Sequence, residues 1–78
     1  MEEIVKGKKG TYCIMSELVL PINGSIDIDV RIDIIVRDIE NNKLVKKDRF
    51  ALAQSSSNSE LKELIERYKY LAKNDFKD

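Results

Sequence analysis

The chain has 78 residues, and its 14 basic side chains balance its 14 acidic ones, so the formal net charge is zero. This balance disfavours a binder of nucleic acid or of anionic membranes, because such proteins carry a clear positive excess. One cysteine and no histidine exclude an internal disulfide and disfavour a structural zinc site. A single domain of this size buries only about 60% of its unfolded surface, so we expect self-association to help stabilise it.

The N-terminal residues indicate a cytoplasmic protein. Met1-Glu2-Glu3 is acidic and no apolar run follows it, so we expect no signal peptide. No stretch approaches the roughly 20 apolar residues of a membrane span, and we expect no membrane partner. The lone Cys13 suits a reducing compartment, where it would remain a free thiol.

Residues 1–10 predict a flexible basic leader. Ile4-Val5 could form a short strand there, but the charged and glycine-rich residues that follow interrupt regular structure. Residues 11–20 then predict a first strand, with Tyr12, Ile14, Leu18 and Leu20 on one face.

The strongest pattern lies in residues 25–38. Apolar residues occupy every even position from Ile26 to Val36, and the odd positions from 27 to 37 are charged except for Ile35. This period of two predicts a central strand with one buried face. The β-branched residues that dominate the buried side fit a pleated surface well.

The loop between these strands sets their register. A two-residue Asn23-Gly24 turn would place apolar residues opposite charged ones. A three-residue loop, with Gly24 in the left-handed region, matches apolar with apolar, so the pattern favours it. The pairs that it predicts are Leu20 with Ile26, Leu18 with Ile28, Ile14 with Ile32 and Tyr12 with Ile34.

A second loop at Glu40-Asn41-Asn42 predicts a third strand. Asn42 can adopt the left-handed conformation that such a loop requires. The predicted pairs are Phe50 with Ile32, Leu52 with Val30, and Arg49 with Asp33. A four-residue loop is the alternative.

The C-terminal part predicts a helix. Ser57 and Glu60 have the spacing of a capping box, and Asn74 is a plausible end. The apolar stripe consists of Leu61, Leu64, Ile65, Tyr68, Leu71 and Ala72. Residues 75–78 should fray, although Phe76 can fold back. The fold class is therefore α+β: a three-stranded antiparallel meander with a C-terminal helix on one face, formed by residues 11–74.

The central strand is too long for the helix that covers it. Fourteen strand residues span roughly 46 Å at about 3.3 Å each, whereas a helix of sixteen residues spans about 24 Å. The hairpin tip therefore lacks a cover, and we expect it to bind a second copy or another protein. The predicted partner-binding residues are Leu18, Leu20, Ile22, Ile26 and Ile28. The alternative is a strand that bends at a bulge, so that the helix or Ile4-Val5 covers the tip.

A second candidate surface is the sheet face that points away from the helix. Its apolar residues are scattered among charges and comprise Cys13, Met15, Val19, Ile35, Val45, Ala51 and Ala53. The acidic residues there are Asp27, Asp29 and Asp33. Neighbouring positions on one face of a strand lie about 6.6 Å apart, which is poor spacing for a metal ion. We expect no metal or other cofactor.

Six basic residues form a possible nucleic-acid patch, although a solvated charged leader is the simpler interpretation. They are Lys6, Lys8, Lys9, Lys46, Lys47 and Arg49. Catalysis is not expected, because the chain has no histidine, phosphate loop or nucleophile motif. The sequence thus predicts a cytoplasmic protein-interaction module of the inhibitor or adaptor type. It is expected to form a homodimer through its β-hairpin and sheet face, with a nucleic-acid-binding accessory protein as the alternative.

Overall fold

The computed structural model describes residues 2–19 and 29–77. They form strands β1 (Glu2–Lys6), β2 (Thr11–Val19), β3 (Asp29–Asp38) and β4 (Lys43–Ala53), a short 3-10 turn at Gln54–Ser56, and helix α1 (Ser57–Lys73). The strands make one antiparallel sheet in the order β1-β2-β3-β4. The α+β class with a C-terminal helix is confirmed.

The sheet has four strands, so the predicted three-stranded meander is corrected. Residues 2–6 pair with β2 along their whole length instead of forming only a leader. Val5 is buried opposite Tyr12, and this apolar contact holds β1 in place. The glycines between the strands close a tight turn, in which the Gly7 amide donates to the Gly10 carbonyl at 2.7 Å.

The predicted register between β2 and β3 is wrong by four residues. Ile14 lies opposite Val36 and Leu18 opposite Ile32, rather than opposite Ile32 and Ile28. An even shift leaves every side chain on its expected face, so the alternation identifies the buried face without selecting among such registers. The predicted loop at 22–24 lies outside the described residues.

The predicted register between β3 and β4 is confirmed from Asp29 to Val36, including Ile32 opposite Phe50 and Asp33 opposite Arg49. A register shift between Val36 and Arg37 then moves the last pairs by one residue. The connection is therefore the four-residue alternative, residues 39–42, and Asn42 has the expected positive φ of 49°.

The core lies between α1 and one face of the sheet. Ile14, Ile34 and Val36 are fully buried beneath the helix, which contributes Ile65, Tyr68 and Ala72. The predicted helix stripe is confirmed. The Tyr68 ring packs edge-on against Phe50, and its hydroxyl donates a hydrogen bond to Asp48. Burial, reinforced by this bond, raises the pKa of Tyr68.

The two ends of α1 differ from the prediction. Ser57 is already helical, and the Glu60 carboxylate accepts the Ala53 amide at 3.1 Å, so the predicted capping box is wrong. At the other end Asn74 caps the helix as expected, but the next residues do not simply fray. Asp75 and Phe76 have positive φ, and the Phe76 ring packs edge-on against Tyr12 with centroids 5.3 Å apart.

The protein is elongated, with a radius of gyration of 13.7 Å and a longest extent of 43 Å. A compact chain of this length would have a radius near 11.5 Å. Seventeen helical residues span about 25 Å, so α1 is shorter than the sheet on which it lies. Among the described residues, no helix combines the length and apolar character that crossing a membrane requires.

Candidate interaction surfaces

The sheet face opposite α1 carries a set of apolar side chains that we call the outer-face patch. Residues alternate between the two faces of a strand, so the neighbours of the buried core residues point away from the helix. The patch consists of Ile4, Cys13, Met15, Ile35 and Leu44. Ile4 is adjacent to Cys13 across β1 and β2, and Met15 is adjacent to Ile35 across β2 and β3. Ile4 is 63% exposed and Leu44 is 49% exposed.

Two of these residues could not be assigned to this face from the sequence. Ile4 lies in the segment that predicts a leader. Leu44 has an even number, which would place it on the helix face of a regular strand. The register shift after Val36 pairs Leu44 with Arg37 instead, and this moves its side chain to the outer face.

An ion pair with Arg49 neutralises Asp33 on the outer face. Arg49 Nε donates to Asp33 Oδ1 at 2.7 Å, and a terminal guanidinium nitrogen donates to Oδ2 at 3.2 Å. Asp33 is only 5% exposed. The hydrogen bond from Arg49 is the main cause that lowers the pKa of Asp33, although burial opposes it. Within the described ranges no three acidic, cysteine or histidine side chains converge as metal ligands do. Asp27 lies outside those ranges.

Cys13 lies within the outer-face patch and is half-buried. Burial raises the pKa of its thiol, and the nearby charge of Glu2 raises it further. The thiol is therefore protonated at neutral pH, and its contribution to this face is apolar.

Of the predicted tip residues, the structure describes Leu18. Its side chain is 60% exposed on the helix face of β2. It lines an open cleft of about 310 Å³ beyond the start of α1, together with Ser16, Glu17, Val30, Ile32, Ser57, Asn58 and Leu61. Leu20, Ile22, Ile26 and Ile28 lie outside the described residues. The predicted Leu18–Ile28 pair does not form, because Leu18 is opposite Ile32.

The structure separates the six basic residues of the predicted nucleic-acid patch. Lys6, Lys8 and Lys9 belong to β1 and its turn, at one edge of the sheet, whereas the other three belong to β4 at the opposite edge. Lys46 lies over the Tyr68 ring on the helix face, 6.0 Å from its centroid. Lys47 and Arg49 lie on the other face, where Arg49 binds Asp33.

No protein family, curated protein or solved structure matches this chain.

A cleft of about 460 Å³ at the end of α1 brings basic residues beside an exposed ring. It is lined by Lys8, Lys9, Tyr70, Leu71, Asn74, Asp75 and Lys77. Tyr70 is 68% exposed. The sequence shows this tyrosine on the wet side of the helix, but its lysine neighbours come from the β1–β2 turn and from beyond the helix end. No local spacing could have indicated that they meet.

The carboxylate of Asp75 is hydrogen-bonded to the backbone amides of the β1–β2 turn. It accepts hydrogen bonds from the amides of Lys8, Lys9 and Gly10 at 3.1–3.2 Å, and from the Tyr12 hydroxyl at 2.9 Å. Burial would raise the pKa of Asp75, but the bonds from Tyr12 and the turn amides together hold it below its usual value. Burial, with the bond to Asp75, raises the pKa of Tyr12 to about 12.

This contact limits what the cleft can bind. Successive backbone amides in a turn form a natural site for an anion such as phosphate. Here the site is filled by a side chain of the same protein, so a phosphate in the cleft would be bound by the lysine side chains rather than by the turn.

Proposed function

We propose that this chain is a small protein-interaction module that binds through the outer face of its sheet. The predicted hairpin tip, of which Leu18 is the described residue, provides a second contact, on the helix face of the sheet. The module acts as an inhibitor or adaptor by occupying a surface of another protein, and it forms a homodimer. A single cysteine, which has no partner in the chain for a disulfide, suits a reducing cytoplasm.

The observation that carries the proposal is the presence of apolar side chains on the face that the helix does not cover. An antiparallel sheet with one wet face normally alternates apolar residues inside with polar residues outside. This sheet instead places the outer-face patch across its strands, with Ile4 the most exposed member. Ile4, Cys13, Met15 and Ile35 are neighbours on this face, whereas Arg37 separates Leu44 from Cys13. Clustered exposed apolar residues of this kind mark contact surfaces. The zero net charge favours a protein partner over a polyanion.

The test compares variants on two exposed surfaces. Ile35→Asp and Met15→Asp each place a charge in the outer-face patch. Tyr70→Asp places the same charge on the solvent-facing side of α1. Each is immobilised and exposed to extract from the source cells, and retained proteins are measured by quantitative mass spectrometry. We expect a partner that wild type and Tyr70→Asp retain and that both outer-face variants lose at least tenfold. Thermal melting confirms that the compared variants are folded. Equal retention by all of them would contradict the proposal.

One observation favours nucleic-acid binding as a second candidate function. The cleft at the end of α1 combines Tyr70 with Lys8, Lys9 and Lys77. An exposed ring between cations is the arrangement on which single-stranded bases stack while lysines contact the phosphates.

Titration with a fluorescent single-stranded oligonucleotide at two salt concentrations tests this candidate. Binding should weaken steeply with salt, and Lys8→Glu with Lys9→Glu should abolish it. Lys46→Glu with Lys47→Glu, at the opposite edge of the sheet, is the matched control and should retain it. Equal loss in both pairs of variants, or binding that is independent of salt, would exclude the cleft as the site.

A further inference from the structure

The two edges of the sheet differ in their protection against a further strand. Within residues 2–19 and 29–77, β1 and β4 are the edge strands, and each has one side without a paired neighbour. β4 contains a bulge opposite Val36 and Arg37. It also carries four basic residues, Lys43, Lys46, Lys47 and Arg49. Bulges and lysines on an edge strand oppose strand addition, so β4 is the protected edge.

β1 is a regular strand whose charges are mixed in sign. It pairs with β2 without a register shift, from Glu2 opposite Met15 to Lys6 opposite Thr11. Its sequence, Glu-Glu-Ile-Val-Lys, has an acidic residue at one end and a basic residue at the other. A strand of this kind is complementary in charge to an antiparallel copy of itself.

We propose that the free edge of β1 pairs with β1 of a second copy, antiparallel and centred on Ile4. Glu2 then lies opposite Lys6 of the second copy, Lys6 lies opposite its Glu2, and the two Ile4 side chains meet. Opposite charges attract when they are directly across from each other on antiparallel strands, and like charges repel. This inference rests on the proposed function and names its partner as a second copy of the chain.

Two considerations place the centre of the pairing at Ile4: the number of residues that pair and the side on which the two outer faces lie. This is the register that pairs all five residues of β1. A shift of one residue leaves one of them unpaired and turns the second copy over, because successive side chains point to opposite faces. Centred on Ile4, the two four-stranded sheets join with both outer faces on the same side. The two Ile4 residues and the two Cys13 residues beside them then form one apolar row across the joined edges.

Charge reversal at the two ends of β1 tests the pairing. Glu2→Lys places two lysines opposite each other, and Lys6→Glu places two glutamates opposite each other. Each should weaken self-association at least about tenfold, measured by sedimentation equilibrium at low salt. An equal mixture of the two variants should associate like wild type, because the new lysine of one meets the new glutamate of the other. Glu3→Lys is the matched control, since Glu3 lies on the other face, opposite Val5 of the second copy, and it should associate like wild type.

The double variant with both charges exchanged, Glu2→Lys with Lys6→Glu, keeps the test valid if a single variant fails to fold, because it should associate like wild type. A wild-type mass that remains at 9.0 kDa at every concentration overturns the inference. So does an effect of Glu3→Lys equal to that of Glu2→Lys, or a mixture that does not associate. If these tests fail while Ile35→Asp still loses a partner that Tyr70→Asp retains, β1 pairing is wrong and the outer face remains the binding surface for another protein. A wild-type mass of 9.0 kDa at every concentration would also contradict the homodimer in the proposed function.

Discussion

The two faces of the sheet are built from alternate residues of the same strands. Both faces carry apolar residues, and they differ in whether another element of the chain covers those residues. Ile14, Ile34 and Val36 are fully buried on the helix face, whereas their chain neighbours Cys13 and Ile35 are only half-buried on the outer face. Over Ile14, Ile34 and Val36 the helix face is closed within the chain by α1, whereas Leu18 toward the end of β2 remains exposed. The comparison teaches that apolar character alone does not identify a core. A core also requires an element of the same chain to close it.

The largest expected effect comes from truncating adjacent residues on opposite faces. Ile34→Ala should lower the free energy of unfolding by about 2–5 kcal/mol, because it leaves a cavity beneath α1. Ile35→Ala, one residue later on the outer face, should cost about 1 kcal/mol or less in the monomer. Urea unfolding at low protein concentration measures both. Similar losses would show that the outer face is closed as tightly as the helix face.

A smaller effect is expected where the helix meets the first turn. A Cβ atom on Gly7 would lie 2.6 Å from the Ala72 carbonyl oxygen and would also contact Asp75. Gly7→Ala should therefore displace the end of α1 and cost about 1–3 kcal/mol. Gly10→Ala is the comparison variant and should cost less, because the nearest atom to its Cβ is the Tyr12 hydroxyl oxygen at 3.1 Å, which has to shift by only a few tenths of an ångström. Equal melting temperatures for Gly7→Ala and wild type would show that the helix end is not held at this turn.

The smallest effect concerns the dependence of stability on pH. The pKa of Asp75 is lower in the folded protein than in the unfolded chain. The Asp75 carboxylate therefore contributes fully to stability above its unfolded pKa, near 3.9. This contribution is lost as the pH falls through the lower pKa of the folded protein. Asp75→Asn should melt a few degrees below wild type at pH 7, and the difference should shrink toward pH 2. Glu66→Gln, on exposed α1, serves as the control and should follow the wild-type curve. A constant difference across this range would show that the charge of Asp75 is not involved.

The elements with strong periodicity could be predicted from the sequence. Alternation identified the buried face of β3, the spacing of Leu64, Ile65 and Tyr68 identified the helix face, and Asn42 indicated the second turn. The register of β2 against β3 could not be predicted, because a shift of four residues preserves a pattern of period two. The exposure of Leu18 was predictable, since a strand longer than its helix must leave one end uncovered.

The remaining features depend on contacts between distant parts of the chain. β1 is a short strand next to a glycine-rich turn, and its only core residue is Val5, so it has too few apolar positions to show a period. Asp75 binds residues 63–67 positions earlier. A single polar side chain carries no periodic signal, so nothing near it in the sequence could indicate this partner.

The Asp75 contact also has a consequence for the order in which the fold is completed. During synthesis the amides of Lys8, Lys9 and Gly10 are made 65–67 residues before their acceptor, Asp75. Closing so long a loop costs chain entropy that neighbouring contacts do not have to overcome. The β1–β2 hairpin can therefore form before Asp75 is made. The hydrogen bonds between Asp75 and its turn form only when the end of α1 docks. This turn is therefore made well before the side chain that secures it.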